Sequence, residues 1–267
     1  GERRRPEPVT ALQIVPVDGL PRIEPGDDLA GLLVPLLSGV EWADGSRGIR
    51  DGDVLVVTSK VVAKAEGRVI AADDREDAIT TETIRVVASR ETPRGTTRIV
   101  QTRHGLVLAA AGVDASNVEA GRVVLLPVDP DGSARALRSR VIEATGARVG
   151  VVITDTMGRP WRIGVTDSAI GAAGVAVLDD HTGRVDGFGR TLEMTIVAVA
   201  DDIAAAADLV KGKIDGSPVA VVRGLPAAVT AEEGSCASAV IRPLDEDLFT
   251  LGTAEALELG RRQALTL

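Results

Sequence analysis

Apolar runs alternate with stretches rich in Asp, Gly and Ser along the chain, and the apolar runs are of two kinds. Short runs rich in Val and Ile, bounded by turn residues, are typical of β-strands. They predict strands at Ile14–Val17, Asp53–Thr58, Thr97–Thr102, Leu106–Ala111, Arg122–Leu126, Val149–Ile153, Thr195–Ala200 and Pro218–Val222.

Apolar residues at a spacing of three and four positions predict helices. The clearest stripe runs from Leu29 to Leu37 behind Asp27 as N-cap, and Pro35 is expected to kink this helix or end it early. The same reading predicts helices over residues 75–90, Ser133–Thr145 with Gly146 as its stop, Asp167–Gly174, Asp201–Lys213 and Thr253–Leu265.

The order of these elements favours an α+β fold of mixed sheets with flanking helices, since hairpin-like strand pairs interrupt the alternation of strands and helices. A length of 267 residues allows one large domain or two interlocked lobes. Residues 1–10 are predicted to be a disordered lead-in, residues 11–250 the domain, and residues 251–267 a C-terminal helix.

Composition excludes several classes of partner. The net charge is −9, and aromatic residues make up only 1% of the chain. Binding of nucleic acid needs a basic stripe and, for single strands, aromatic stacking platforms, so no nucleic-acid partner is expected. An acidic total also argues against a membrane-surface protein, and no apolar stretch reaches the length that spans a bilayer.

Soft-metal chemistry is excluded by the same count. One cysteine, Cys236, forms no internal disulfide, and two histidines cannot supply a three-histidine zinc site. Any bound metal is therefore expected to be a hard cation on carboxylates. The N-terminal arginines are not followed by an apolar signal region, so the chain is predicted to be cytoplasmic.

Three strand ends concentrate polar residues, whereas the common phosphate-binding and nucleophile motifs are absent. Ser59, Lys60 and Lys64 follow one strand, Asp114–Asn117 follows a second, and Thr154–Arg159 follows a third. Ligands in α/β sheets collect at strand ends. Asp114 and Asp155 could hold a divalent cation with a hydroxyl from Thr156, but an Asx-turn, a cap and a solvated strand end explain the same residues without a ligand.

Taken together, these segments resemble the coenzyme F420-0:L-glutamate ligase family. The matching stretches include IVPVDGLPRIEPGDDL, GDVLVVTSKVVAKAEGR, GLVLAAAGVDASNV and VVITDTMGRPWRIGVTDSAIGAAGVAVL, and they follow the family order from Ile14 to about Gly260. The last residues resemble the junction that precedes a nitroreductase-like domain in two-domain members. The combinations T-S-K-V-V-x-K and T-D-T-M-G-R-x-W-R are specific to the family.

The resemblance implies a GTP-dependent ligase that adds L-glutamate to coenzyme F420-0, and further γ-linked glutamates to F420-n. It also implies two Mg²⁺ or Mn²⁺ ions per site, K⁺, and an intertwined homodimer. Matched residue by residue, it assigns GTP contacts to Leu20, Pro21, Arg22, Ile23, Ser59, Lys64 and Asn117. It assigns Asp114 and Asp155 to one divalent metal and Thr156 to the second.

The implied chemistry passes through an acyl phosphate, which explains why no nucleophilic side chain is required. The expected catalytic residues are Asp155, through its metal, and Lys64, which offsets phosphate charge. Two alternatives stay open: a metal-dependent phosphohydrolase that uses the same aspartates on water, and a non-catalytic module that binds GTP or a deazaflavin.

Overall fold

The computed structural model describes residues 11–93, 95–212 and 217–264. The predicted lead-in at residues 1–10 lies outside the described residues, as do the predicted ends of two helices, at Lys213 and Leu265.

The described residues form twelve strands and six α-helices. The strands are β1 (Gln13–Pro16), β2 (Val54–Thr58), β3 (Val69–Ala71), β4 (Thr83–Thr92), β5 (Gly95–Thr102), β6 (Val107–Ala109), β7 (Arg122–Val124), β8 (Gly150–Gly158), β9 (Val165–Ala173), β10 (Asp179–Asp180), β11 (Ile196–Val197) and β12 (Val219–Arg223). The helices are α1 (Leu29–Leu37), α2 (Ser59–Ala65), α3 (Arg75–Glu82), α4 (Pro130–Thr145), α5 (Val199–Lys211) and α6 (Thr253–Ala264).

The central sheet has the strand order β1-β12-β2-β8-β9. Strands β2 and β8 are parallel, so both end at the same edge, and the other neighbouring pairs are antiparallel. Alternate side chains of β2 enter two different cores. Leu55 and Val57 pack in the cluster that contains residues of α1, α2 and α4, while Val54 and Val56 pack in the cluster that contains residues of α5.

Smaller sheets complete the fold. Strands β4, β5 and β6 form an antiparallel meander, β3 pairs with β7, and β10 pairs with β11. A third core of Ile79, Val100 and Val123, among others, lies between α3 and these strands. This arrangement confirms the predicted α+β class with mixed sheets and flanking helices.

Two predicted helices are wrong. Residues 75–90 divide into α3 and β4, because the segment that starts at Thr83 is rich in β-branched residues and pairs with β5, which leaves only the first two turns helical. The predicted helix Asp167–Gly174 is strand β9, at the edge of the central sheet. Its small residues let α4 approach closely, since a Cβ added at Gly171 would stand 2.4 Å from the Pro130 carbonyl oxygen.

The other helices agree with their predictions, with shifted ends. Helix α1 begins after Asp28, whose side chain accepts from the Gly31 amide, so the N-cap lies one residue after the predicted Asp27. The helix continues two residues past Pro35, so of the two expected effects of this proline the early end is wrong. Helix α4 starts three residues before Ser133 and ends at Gly146, which has the left-handed φ of +73° that a C-cap glycine favours. The predicted strand Thr195–Ala200 is helical from Val199 onward.

Among the described residues, no helix has both the length and the apolar character needed to cross a bilayer.

Candidate active site

The site begins where the parallel strands β2 and β8 end. Thr58 of β2 is in register with Thr154 of β8. The next residue in each strand direction is polar: Ser59 follows Thr58 as the first residue of α2, and Asp155 follows Thr154. The Ser59 Oγ donates to Oδ1 of Asp155 at 2.8 Å. Strand β8 continues through Asp155 to Gly158, so this carboxylate projects from a regular strand rather than from a loop.

Asp155 lies in surroundings that oppose its charge. Burial is the largest influence on its carboxyl group and raises the pKa to about 6, although the Ser59 hydroxyl and the nearby Lys60 favour the ionised form. A carboxylate held in this way is poised to accept a cation, because a bound positive charge offsets the cost of burying the ionised form.

Asp114 joins the site from the loop after β6, and its environment has the opposite effect. Its Oδ2 lies 2.7 Å from Nζ of Lys60, and Ser116 donates to it through both its amide and its hydroxyl. Burial alone would raise the pKa of Asp114, but the bonds from Lys60 and Ser116 outweigh burial and hold the pKa at about 2. Asp114 is thus a permanent negative charge.

These groups line one cavity of about 260 Å³. Asp114, Asp155 and Thr156, the three predicted metal ligands, all border it, together with Ser59 and Lys60. The remaining wall is mostly apolar, with Leu108, Val113, Leu126 and Met157 among its residues. The structure therefore brings the predicted metal-binding residues together.

The donor set suits a hard divalent cation that shares its coordination with a ligand. Two carboxylates and a hydroxyl are the oxygen donors that Mg²⁺ and Mn²⁺ accept, and Mg²⁺ usually completes its shell with phosphate and water. Within the described residues there is no group of three or more His, Cys, Asp or Glu that could bind a metal on its own. The residues present thus fit a cation that arrives with a phosphate-bearing substrate.

Three of the residues predicted to contact GTP line a second cavity, of about 90 Å³. Arg22, Ile23 and Lys64 line it, along with Glu119 and Arg122. Burial and then the charge of Arg22 lower the pKa of Lys64. Arg22 itself is paired with Glu24 and Glu119, so the cavity is ringed by charges of both signs.

Lys64 also fixes the loop that carries Asp114. Its Nζ donates to the backbone carbonyl of Asn117 at 2.6 Å, and Asn117 adopts a left-handed φ of +55°, which asparagine tolerates. Lys60 and Lys64 are one helical turn apart on α2. This helix therefore anchors the loop at two points, through Lys60 beside the first cavity and through Lys64 beside the second.

The remaining predicted contacts, Leu20 and Pro21, do not line either cavity. Leu20 packs against the first core cluster and Pro21 is exposed, immediately before Arg22. The predicted site therefore divides into four parts: Ser59 with the three metal-ligand candidates, Arg22 and Ile23 with Lys64, Asn117 bound to Lys64 but outside both cavities, and Leu20 with Pro21.

Two buried residues next to the site were not predicted from the sequence. Asp167 of β9 and Lys211 of α5 form an ion pair of 2.7 Å with almost no exposed side-chain surface, and Thr156 donates to Asp167. A signal for Lys211 exists, because it continues the core-facing stripe of α5 after Ala200, Ile203 and Ala207. Lysine at such a position needs a buried partner.

The chain is similar to proteins of one family over most of its length. A sequence model of the family described as F420-0:Gamma-glutamyl ligase matches residues 19–224. The coenzyme F420:L-glutamate ligase of Archaeoglobus fulgidus is 42% identical over 253 residues, covering 89% of this chain and 96% of that protein. The proteins of the same name from Methanopyrus kandleri and Methanothermobacter thermautotrophicus are 41% and 38% identical, covering 89% of this chain and 97% and 98% of their own lengths.

Proposed function

Because the chain belongs to the F420-0:gamma-glutamyl ligase family, we propose that it drives its reaction, the ligation of L-glutamate to coenzyme F420, with GTP. The single observation that carries the proposal is the convergence of Asp114, Asp155 and Thr156 on one cavity beside Ser59 and Lys60. That arrangement suits a phosphate-bearing substrate and its cation, and it needs no protein nucleophile.

The reaction must first activate a carboxylate, because an amine does not displace oxygen from it directly. An oxygen of the acceptor carboxylate attacks the γ-phosphorus of GTP, and GDP leaves with the electrons of the broken P–O bond. The amine of L-glutamate then attacks the acyl phosphate, inorganic phosphate leaves, and the nitrogen loses a proton as the amide forms. Successive γ-linked additions repeat these steps.

The residues of the first cavity serve positioning and charge stabilisation, which dominate phosphoryl transfer. Asp114, Asp155 and Thr156 would hold Mg²⁺ or Mn²⁺, two ions per site, and these ions supply electrostatic stabilisation of the phosphate oxygens. Lys60 pairs with ionised Asp114 and holds its loop in place. Ser59 fixes the rotamer of Asp155.

The second cavity binds the anionic part of a substrate that extends past α2. Arg22, Arg122 and Lys64 provide its positive charge, and Lys64 offsets charge that remains on the phosphates. Leu20, Pro21 and Ile23 position Arg22, and Asn117 positions Lys64 through its carbonyl. The proposal further includes K⁺, an intertwined homodimer and a cytoplasmic location, and residues 11–250 as the catalytic domain.

The test is an incubation with Mn²⁺, L-glutamate, coenzyme F420-0 and either GTP or ATP, followed by mass spectrometry. We expect added glutamates with GTP, with one phosphate released per amide. Asp155→Asn should abolish turnover, and Asp180→Asn, which removes an exposed carboxylate outside both cavities, should not change it. Equal rates with ATP would contradict the GTP assignment.

The same assay separates the two alternatives. A phosphohydrolase releases phosphate from GTP at the same rate when glutamate and the deazaflavin acceptor are omitted. A binding module retains GTP but forms no amide with any acceptor. The ligase predicts that phosphate release depends on both omitted substrates.

A further inference from the structure

An exposed aromatic pair stands beside the first cavity. Trp161 lies in the turn between β8 and β9, and its ring centroid is 4.7 Å from that of Phe249 in an edge-to-face arrangement. The Trp161 side chain is 81% exposed, although a large aromatic ring is usually buried over most of its surface. A ring with both faces covered could not be so exposed, so at least one face of the indole is open to a ligand.

The backbone at Trp161 is in an unfavourable conformation. Its φ is +56°, in the left-handed region that glycine enters freely and that a bulky residue rarely adopts. Strained residues of this kind are concentrated at functional sites. The chain has only 1% aromatic residues, and the contact with Phe249 covers little of the indole. Neither the backbone of the turn nor packing therefore accounts for a tryptophan at this position.

The place of the turn relates Trp161 to the reaction. Gly158 and Val165, which are in register at the end of β8 and the start of β9, both line the first cavity. Trp161 is three residues from Gly158, so its Cα lies within about 10 Å of the cavity wall. The second cavity is lined instead by residues of the segment before α1, of α2 and of the β3–β7 region. The turn that carries Trp161 thus borders the first cavity alone.

The two substrates that contain a ring approach from different sides. The GTP contacts predicted at Arg22 and Lys64 line the second cavity, so the proposed nucleotide extends in that direction. The acceptor has a flat deazaflavin ring at one end of an anionic arm and its reactive carboxylate at the other. When that carboxylate reacts in the first cavity, the ring lies outside it. Arg159 and Arg162, both exposed on the same turn as Trp161, complement the charge of the arm.

We propose that Trp161 binds the acceptor by stacking on its deazaflavin ring, and that Phe249 holds the indole in place. The inference rests on the proposed function, because it takes the first cavity as the place where the acceptor carboxylate is activated. Stacking of a nucleic-acid base on an aromatic side chain strengthens binding by about 5- to 150-fold, and it tolerates different rings because each presents a π-face. The strained turn thus holds a recognition surface at the rim of the site.

Trp161→Leu removes the flat ring and keeps an apolar side chain. Equilibrium dialysis of coenzyme F420-0 against the protein measures the Kd of the acceptor without nucleotide or turnover. We expect this Kd to rise about 5- to 150-fold, and Trp161→Phe, which keeps a π-face, to recover most of the loss. The matched control is Phe188→Leu, which removes another exposed ring outside both cavities and should leave the Kd unchanged. Wild-type affinity in Trp161→Leu overturns the inference.

Binding of GDP with Mn²⁺ shows which ring Trp161 contacts. Trp161→Leu should bind GDP as tightly as wild type does, and a loss of GDP affinity in place of F420-0 affinity assigns the indole to guanine and overturns the inference. The deazaflavin with its ribityl chain but without phosphate should lose the same factor as F420-0, since the lost contact is with the ring. Amide formation with GTP tests the proposed function separately. A wild-type chain that binds F420-0 through Trp161 but forms no amide contradicts the proposed function and not the ring contact.

Trp161→Gly distinguishes a ligand contact from a structural role. Glycine adopts a positive φ without strain and the indole buries little surface, so the melting temperature should be no lower than that of wild type, while the Kd for F420-0 rises as in Trp161→Leu. Phe249→Leu should raise the Kd by a smaller factor and should add nothing to Trp161→Leu, because the ring that it holds is then gone. A Trp161→Gly variant that melts below wild type and keeps its affinity for F420-0 shows a packing role and overturns the inference.

Discussion

At the scale of single residues, Asp155 shows a conflict between stability and function. Burial raises the pKa of this carboxyl from 3.8 to about 6, so the folded protein binds the proton more tightly than the unfolded chain does. Its contribution to stability is complete below the unfolded pKa and is lost as the pH rises through the folded pKa. Near neutral pH, the metal-free protein therefore carries an unfavourable ionised carboxylate.

Asp155→Asn should consequently stabilise the metal-free protein at alkaline pH, while it removes turnover. The gain in unfolding free energy should grow from near zero at pH 4 to at most about 3 kcal/mol at pH 8, because each pKa unit corresponds to about 1.4 kcal/mol. Denaturant melts in the presence of a chelator measure this. A variant that is less stable than wild type at pH 8 would show that the carboxylate is not penalised.

Arg223 illustrates a buried charge with a purely structural role. It binds Asp53 in two places, at 2.7 and 2.8 Å, and its guanidinium lies 3.6 Å from the ring centroid of Trp42. Both members of the ion pair are almost fully buried, so removing one leaves the other without compensation.

Arg223→Met should therefore lower the free energy of unfolding by about 3–5 kcal/mol. The matched control is Arg148→Met, which breaks the exposed pair with Asp51 and should cost at most about 1 kcal/mol. Urea denaturation of both variants checks the difference, and equal losses would show that burial does not govern the strength of these pairs. Neither residue lines the described cavities, so Mn²⁺ affinity should be unchanged in both.

At the scale of elements, strand β9 depends on one glycine. A Cβ at Gly171 would stand 2.4 Å from the carbonyl oxygen of Pro130, the first residue of α4. Backbone cannot move aside as a flexible side chain can, so the strand and helix must separate.

Gly171→Ala should destabilise the protein by about 2 kcal/mol or more, within the range of overpacking effects. Gly187→Ala is the control, since a Cβ there meets nothing within 4 Å. Thermal melts compare the two variants. An unchanged melting temperature of Gly171→Ala would contradict the close packing described here.

The wrong predictions share one physical cause. Periodicity reports which residues are apolar, but the partner that buries them comes from elsewhere in the chain. Residues 83–90 become a strand because β5 pairs with them, and small residues around Gly171 suit a helix or a strand until α4 is in place. Short valine-rich runs bounded by turn residues, such as Val54–Thr58, indicate a strand by their length and β-branched residues, and this prediction is confirmed.

The same contrast between local patterns and distant partners applies to the residues of the candidate site. Ser59, Asp155 and Thr156 could be predicted because they lie at the ends of the parallel strands β2 and β8, which meet at one edge of the central sheet. Asp114 could be predicted because it closely follows the apolar run that contains β6, although β6 belongs to another sheet. Local patterns do not indicate Asp167, because they predict a helix for the segment that forms β9, nor Lys211, because its partner is 44 positions away along the chain. Pairing across that distance is a property of the fold and not of any local pattern.

At the scale of the whole molecule, the net charge has the same sign as the phosphate groups that the proposed function requires the site to bind. The chain has a net charge of −9. Nevertheless, Lys60 borders the first cavity, and Arg22, Lys64 and Arg122 border the second. Lys60 and Lys64 both bond to the loop that carries Asp114 and Asn117. Arg159 and Arg162, on the turn after β8, line neither cavity. Local potential at these cavities, rather than total charge, governs binding of phosphate groups.

At the same scale, exposed apolar side chains bear on the oligomeric state of the protein. Phe188 and Met194, in the segment between β10 and β11, are 95% and 89% exposed, and Val185 and Ile196 nearby are also exposed. Clustered apolar surface of this kind is typical of protein interfaces. The predicted homodimer would cover it.

We expect light scattering after gel filtration to give the mass of a dimer for the wild-type chain. The double substitution Phe188→Ser and Met194→Ser should shift the mass toward a monomer, since aromatic and methionine side chains contribute much of the affinity of interfaces. Leu12→Ser, which removes an exposed apolar side chain elsewhere, is the control and should leave the mass unchanged. Both residues of the double variant are exposed, so its far-UV circular dichroism should match wild type. A wild-type chain that elutes as a monomer at micromolar concentration would contradict the homodimer, and these side chains would then need another partner.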